Sequence, residues 1–287
     1  MFNFDKNKKM KETSIQKAIR NFAKKGFERS EGTFQGDGIH RHVLKNKYDN
    51  FIKMPPSNFK FHRWAGSLTS SQAFAYNIFS GVGNAEFEYN MWALDYNPLH
   101  KACVDVAIED EKGDIDMYEV KMFEFATSVG KNQIFHKEGR KYFNPKNYNC
   151  STQEIAESFT YFIESVVNHF KNRSMYGEGI KQLCCHLLGI INEKTKYDKL
   201  CDKKVRLHSL CFDHNFGSHD FTQSLESYRK ILKEDFFPIV NNYLEKINMH
   251  DQIEYCGYLG ASDYIENNIE LLGIANYDYV KKRYFNG

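Results

Sequence analysis

Glu119 and Lys121 stand two residues apart in MYEVKMF (117–123), and Asp105 lies fourteen residues before Glu119 in ACVDVAI (102–108). Both stretches read as strands, in which side chains two apart share a face. Glu119 and Lys121 therefore project together, with Tyr118, Val120 and Met122 on the other side. In the earlier stretch Val104, Val106 and Ile108 form one face and Asp105 looks out from the opposite one. Charges taken out of water cost several kcal/mol unless they are paired or bind a metal. If the two strands pair with residue numbers summing to an even value, for instance 105 opposite 119, then Asp105, Glu119 and Lys121 meet. Two carboxylates so placed repel unless a proton or a divalent cation lies between them. Mg²⁺, or Mn²⁺ in its place, takes carboxylate and carbonyl oxygens, and the Val120 carbonyl between the two charged residues is a further ligand of that kind. Lys121 would stand beside the metal, where it can orient or help deprotonate a water and steady charge on a phosphate. Taken alone, E-x-K in a strand equally describes a solvated sheet face.

Positioning those residues requires a hairpin and a body behind it. EKGD, at 111–114, is turn-forming and joins strand-like 101–110 to strand-like 115–126, with a further strand at 85–96. Before them, GSLTSSQAFAYNIFSGVG predicts a helix, with Thr69 and Gln72 in a capping-box pattern and Gly81 as its stop. TSIQKAIRNFAKK (13–25) spaces Ile15, Ala18, Ile19, Phe22 and Ala23 as one helical face. Helices are expected over 151–170 and in GIKQLCCHLLGIINEK, a strand over 204–214, one long helix around 221–247, a strand in IEYCGYLG and a helix from near Ser262. That order predicts an α/β fold, with a mixed central β-sheet flanked by helices.

The 287 residues suffice for a substantial core, and 41% apolar with 26% charged residues excludes a disordered chain. No run of eighteen apolar residues suggests a membrane span, and the opening MFNFDKNKKMKE lacks a secretory leader's apolar stretch. Seven cysteines, scattered and without a C-x-x-C pair, predict reduced thiols in a cytoplasmic protein. Residues 1–64 carry 15 Lys and Arg against six Asp and Glu, whereas the remainder is net acidic. A basic N-terminal extension (1–64) beside an acidic body (65–287) suits a phosphate-gripping part and a cation-binding part. His40 and His42 lie in that basic segment, and residues 131–149 interleave cations with Phe and Tyr as a nucleic-acid-contacting loop would.

Asp105 followed by Glu119-Val120-Lys121, after one helix and before further helices and a strand, resembles the PD-(D/E)XK nuclease superfamily, with its restriction-endonuclease-like fold. Val104 stands where the motif has proline. SSQAFAYNIF (70–79) is similar to the S-S-Q-A helix of a group of restriction-endonuclease-like bacterial proteins. That group also carries a phenylalanine–glutamate–tyrosine segment, matched by Phe87, Glu88 and Tyr89, and a Glu after the lysine, matched by Glu124; Phe123 stands where threonine is usual. YGEGIKQLCCHLLGI resembles its next helix, with Gln182 and His186 one turn apart. The resemblance covers roughly residues 65–215. It implies a Mg²⁺-dependent DNA endonuclease of host defence, with a cognate DNA methyltransferase as partner. Asp105, Glu119, Val120 and Glu88 would hold metal, Lys121 would assist the attacking water and Gln182 would position the site or the DNA. Glu86 rivals Glu88 for its role. The same fold also serves exonucleases and structure-specific repair nucleases, and catalytically inactive DNA-binding proteins. A palindromic target would call for a two-fold dimer.

Overall fold

EKGD turns the chain as its composition predicts. Asp110 Oδ1 accepts from the amides of Lys112 (2.9 Å) and Asp114 (3.0 Å). Gly113 takes φ +86°, the left-handed region that glycine enters without a Cβ penalty. The computed structural model describes residues 12–31, 67–94, 100–128, 130–131 and 145–286. His40, His42 and most of the cation- and aromatic-rich stretch after Lys131 lie outside the described residues.

The turn joins β2 (His100–Glu109) to β3 (Ile115–Lys121), and β1 (Ala85–Leu94) pairs antiparallel on the far side of β2. After β3 come the short α3 (Glu124–Thr127), β4 (Gly130–Lys131), α4 (Gln153–Phe170), β5 (Ser174–Met175) and α5 (Gly177–Thr195). The chain then returns as β6 (Val205–Cys211), parallel to β3, and β7 (Ile253–Gly260), parallel to β6. The main sheet is thus mixed, in the order β1-β2-β3-β6-β7, while β4 and β5 form a separate two-stranded ribbon.

Two helices cover the sheet around the charged hairpin. α2 (Ser71–Phe79) lies on the Tyr118 face, with the Phe79 and Tyr118 rings 5.0 Å apart. α5 lies on the Glu119 face; Gly189 lets it close on the sheet, since a Cβ there would stand 2.8 Å from Met91 Cβ and 3.2 Å from Ala102 Cβ. α1 (Ser14–Glu31) buries Ile19 and Phe22 in the same core, with the Phe22 ring 5.7 Å from Phe212 and stacked 4.6 Å from Phe216.

Two local expectations are corrected. The cap of α2 is Ser70, which accepts from the Ala73 amide at 3.1 Å, and not Thr69; Gln72 is drawn away from the helix end to Glu88. β3 ends at Lys121 rather than running to 126, because the Glu124 carboxylate takes the amides of Met122 (2.7 Å) and Phe123 (2.9 Å) and turns the chain into α3. The long helix expected around 221–247 is present as one unbroken run: α6 (His219–Lys230), a widened π segment at Ile231–Phe236 and α7 (Phe237–Lys246). Pro238, two residues beyond that segment, has no N–H to give the preceding turn.

Candidate functional site

In the β2–β3 ladder Val106 faces Tyr118, Ala107 faces Met117 and Ile108 faces Asp116. Continued by one residue, that register sets Asp105 opposite Glu119. On the other side Phe87 faces Val106 and Tyr89 faces Val104, which sets Glu88 opposite Asp105. Three carboxylates therefore fall in one row across three neighbouring strands.

The row coincides with a fork in the sheet. The β2–β3 ladder stops at Val106, and the Val120 amide donates to Asp105 Oδ2 at 2.7 Å instead of to the backbone of β2. Lys121 O accepts from the Phe212 amide, so Lys121 and Glu119 direct their backbone groups toward β6. Val120, alternating with them, directs its carbonyl into the wedge beside Asp105.

Glu119 lies on the α5 face. Its Oε1 is 2.5 Å from Lys121 Nζ and its Oε2 is 2.7 Å from His186 Nε2. All three side chains are almost sealed from solvent, at 2% exposure for Glu119, 5% for Lys121 and 2% for His186. His186 Nδ1 is buried without a hydrogen-bond partner among the described residues.

Glu88 is engaged by α2 and β2. Its Oε1 accepts from Gln72 Nε2 of α2 at 2.7 Å and its Oε2 from the Cys103 thiol at 3.1 Å. Its φ of +54° breaks the strand's alternation. Phe87 packs on Tyr76 of α2, whereas Met91, four residues on, packs under Gly189 of α5. Glu86 is exposed and is a neighbour of Tyr89 and Lys199. Gln182, one turn before His186, is half-buried and its Oε1 is buried without a partner.

Burial, followed by the charge of Glu119, pushes the Asp105 carboxyl well above the ordinary carboxylate range. Burial acts on Glu119 in the same sense, but Lys121 and His186 outweigh it and hold that carboxyl below its ordinary range. Burial alone would lower Lys121; Glu119, with help from Tyr176 and Asp105, overrides it and keeps the ammonium charged. The resting arrangement is an ionised Glu119–Lys121 pair beside an Asp105 that resists ionising.

The donors suit a hard divalent cation in kind, being carboxylates and an inward carbonyl, and Asp105 is the group whose ionisation such a cation would relieve. Their arrangement is less favourable. Both oxygens of Glu119 and both of Glu88 are taken by protein donors, and among the described residues no group of three or more His, Cys, Asp or Glu side chains is gathered to hold a metal ion. Sequence reasoning named His186 only as the companion of Gln182; its spacing puts it on the helix face toward the sheet, but only the fold shows that Glu119 lies beneath it.

No protein-family model, curated protein or solved structure matches the chain. Among the described residues no helix is long and apolar enough to cross a membrane.

Proposed function

We propose that the protein is a Mg²⁺-dependent DNA endonuclease of the restriction-endonuclease-like kind, working at the fork between β2 and β3. The observation that carries this reading is the register that sets Asp105 opposite Glu119, with Lys121 on the same face and bonded to Glu119. Asp105, Glu119 and the Val120 carbonyl would hold the cation, which supplies a more acidic bound water and screens phosphate charge. Lys121 would hold a proton near the attacking water and face the phosphate. His186 fixes the Glu119 carboxylate from behind, and Gln182 offers a polar group one helical turn away. Host defence in the cytoplasm, with a methyltransferase protecting the cell's own DNA, is the setting this chemistry suits.

Closed circular plasmid incubated with Mg²⁺ tests the reading, wild type against Asp105→Asn. The amide keeps an acceptor for the Val120 N–H, so the fold is retained. Cutting of the circle by wild type, and a loss of about two orders of magnitude or more in the variant, is expected. Equal products from both proteins at matched melting temperatures would remove the proposal, and cutting confined to linear DNA would make the enzyme an exonuclease. Lys121→Ala is a poorer probe than the residue types suggest. It strips the partner from a buried carboxylate, a change that costs about 3–5 kcal/mol.

One observation favours a second reading, a strand-binding protein without catalysis: both oxygens of Glu119 and both of Glu88 are already taken by protein donors. Its signature would be salt-dependent DNA binding with no cleavage in Mg²⁺ or Mn²⁺.

A further inference from the structure

A groove of about 460 Å³ runs between α1 and the loop leading into α6. Its walls are unlike in chemistry. Lys25 and Arg29, one turn apart on α1, line one side, and Asn215, Gly217 and Ser218 line the other. Phe22 and Phe216, stacked at 4.6 Å, also line it. None of the described residues lining the groove is acidic. The neighbouring cations on α1 are matched, Arg20 to Glu12 at 3.0 Å and Lys24 to Glu28 at 3.8 Å. Lys25 and Arg29 have no carboxylate partner among the described residues. Arg29 gives its Nε to the Lys282 carbonyl and keeps one terminal nitrogen buried and unpartnered. The Ser218 side chain caps α6 at the same rim, and Asp220 in the first turn of that helix accepts from the Ser14 hydroxyl at 3.1 Å.

The groove also lies where the sheet would place a ligand. β3 and β6 are parallel and both end here: the Phe212 amide bonds Lys121 O at 2.8 Å, and the Phe212 ring touches Phe22. Crevices outside the carboxyl ends of parallel strands are where open α/β sheets bind their ligands.

We infer that this groove seats one nucleotide of a single nucleic-acid strand, its phosphate against Lys25 and Arg29 and its base or sugar against the half-buried Phe216 ring, behind which Phe22 is stacked in the core. Unpaired cations beside an aromatic surface are the two parts of a single-strand site, and the volume suits one nucleotide rather than a duplex. The assignment shares with the proposed nuclease reading only its partner, nucleic acid, and it requires no metal.

The test is fluorescence anisotropy with a labelled single-stranded oligodeoxynucleotide of about ten nucleotides, in EDTA so that chemistry is silent. An RNA strand and a duplex of the same length form parallel arms. Lys25→Glu is compared with Lys230→Glu, an equal charge reversal on an exposed lysine at the far end of α6. Lys25→Glu should weaken strand binding at least about fivefold and lower the salt slope by about one, with an unchanged melting temperature, while Lys230→Glu binds as wild type. Failure of wild type to bind a strand, or equal weakening by both reversals, overturns the assignment, and tighter binding of the duplex overturns its single-strand part. The RNA arm decides which sugar the groove accepts. Because no metal is present, these outcomes are independent of whether Asp105→Asn abolishes cutting.

Discussion

Ionising Asp105 puts a second negative charge beside Glu119 in a half-buried wedge, and the protein resists it. A carboxyl whose folded pKa lies above its unfolded value adds stability below the ordinary carboxylate range, and that contribution is lost as pH rises through the folded pKa. Without divalent cation, Asp105→Asn should therefore raise the melting temperature at neutral pH by a few degrees and flatten its decline with rising pH. If the wedge holds Mg²⁺, the cation should raise the melting temperature of wild type and leave the variant's unchanged. Melting curves with and without Mg²⁺ decide both points; a variant that melts below wild type in EDTA would mean that Asp105 acts as a cap on Val120 and nothing more. Glu119 runs the opposite way. Its depressed pKa contributes stability above the ordinary carboxylate range, lost as pH falls through the lower folded value.

At the scale of elements, α5 couples the sheet to the site. Gly189 and His186 lie one turn apart on it, and Gly189 sets how near the helix sits to β1 and β2. Gly189→Ala puts a methyl 2.8 Å from Met91 Cβ, so helix or strand must give. A cost of about 1–3 kcal/mol is expected in a denaturant titration, with a shift of the His186 imidazole resonances as the helix lifts from Glu119. The elements were largely legible in the sequence, since α1, α4, α5 and the hairpin carry strong periodicity and the turn carries Gly113. Asp105 facing Glu119 was legible too, as one of two registers. What local pattern could not show is where long-range partners intervene. The Gln72 side chain leaves its own helix end for Glu88, sixteen residues on. Glu88 looks like an ordinary strand residue, yet it takes a positive φ and its carboxylate is bonded to Gln72 of α2 and to Cys103 of β2.

At the scale of the whole molecule, α1, the described part of the segment set apart by its charge, is joined to the body by packing. Phe22 of α1 lies among Phe212, Phe216 and His214, next to the chain that leaves β6. Phe22→Ala should cost about 3–5 kcal/mol in global unfolding measured by denaturant, whereas a loosely attached extension would lose nothing. Composition signalled the basic character of this region and periodicity its buried face; neither could say which surface the helix lies against, because ring-on-ring packing of residues nearly two hundred apart leaves no trace in local pattern. The hairpin loop acts on the same scale in another way. Arg206 of β6 reaches across to Asp110, Asp114 and Asp116, pinning the turn to a strand more than eighty residues away. The turn thus works as a ruler, and Arg206 is the clamp that keeps it from sliding. A slip of a single notch would leave every acid and base in the chain intact, yet set a valine across from Glu119.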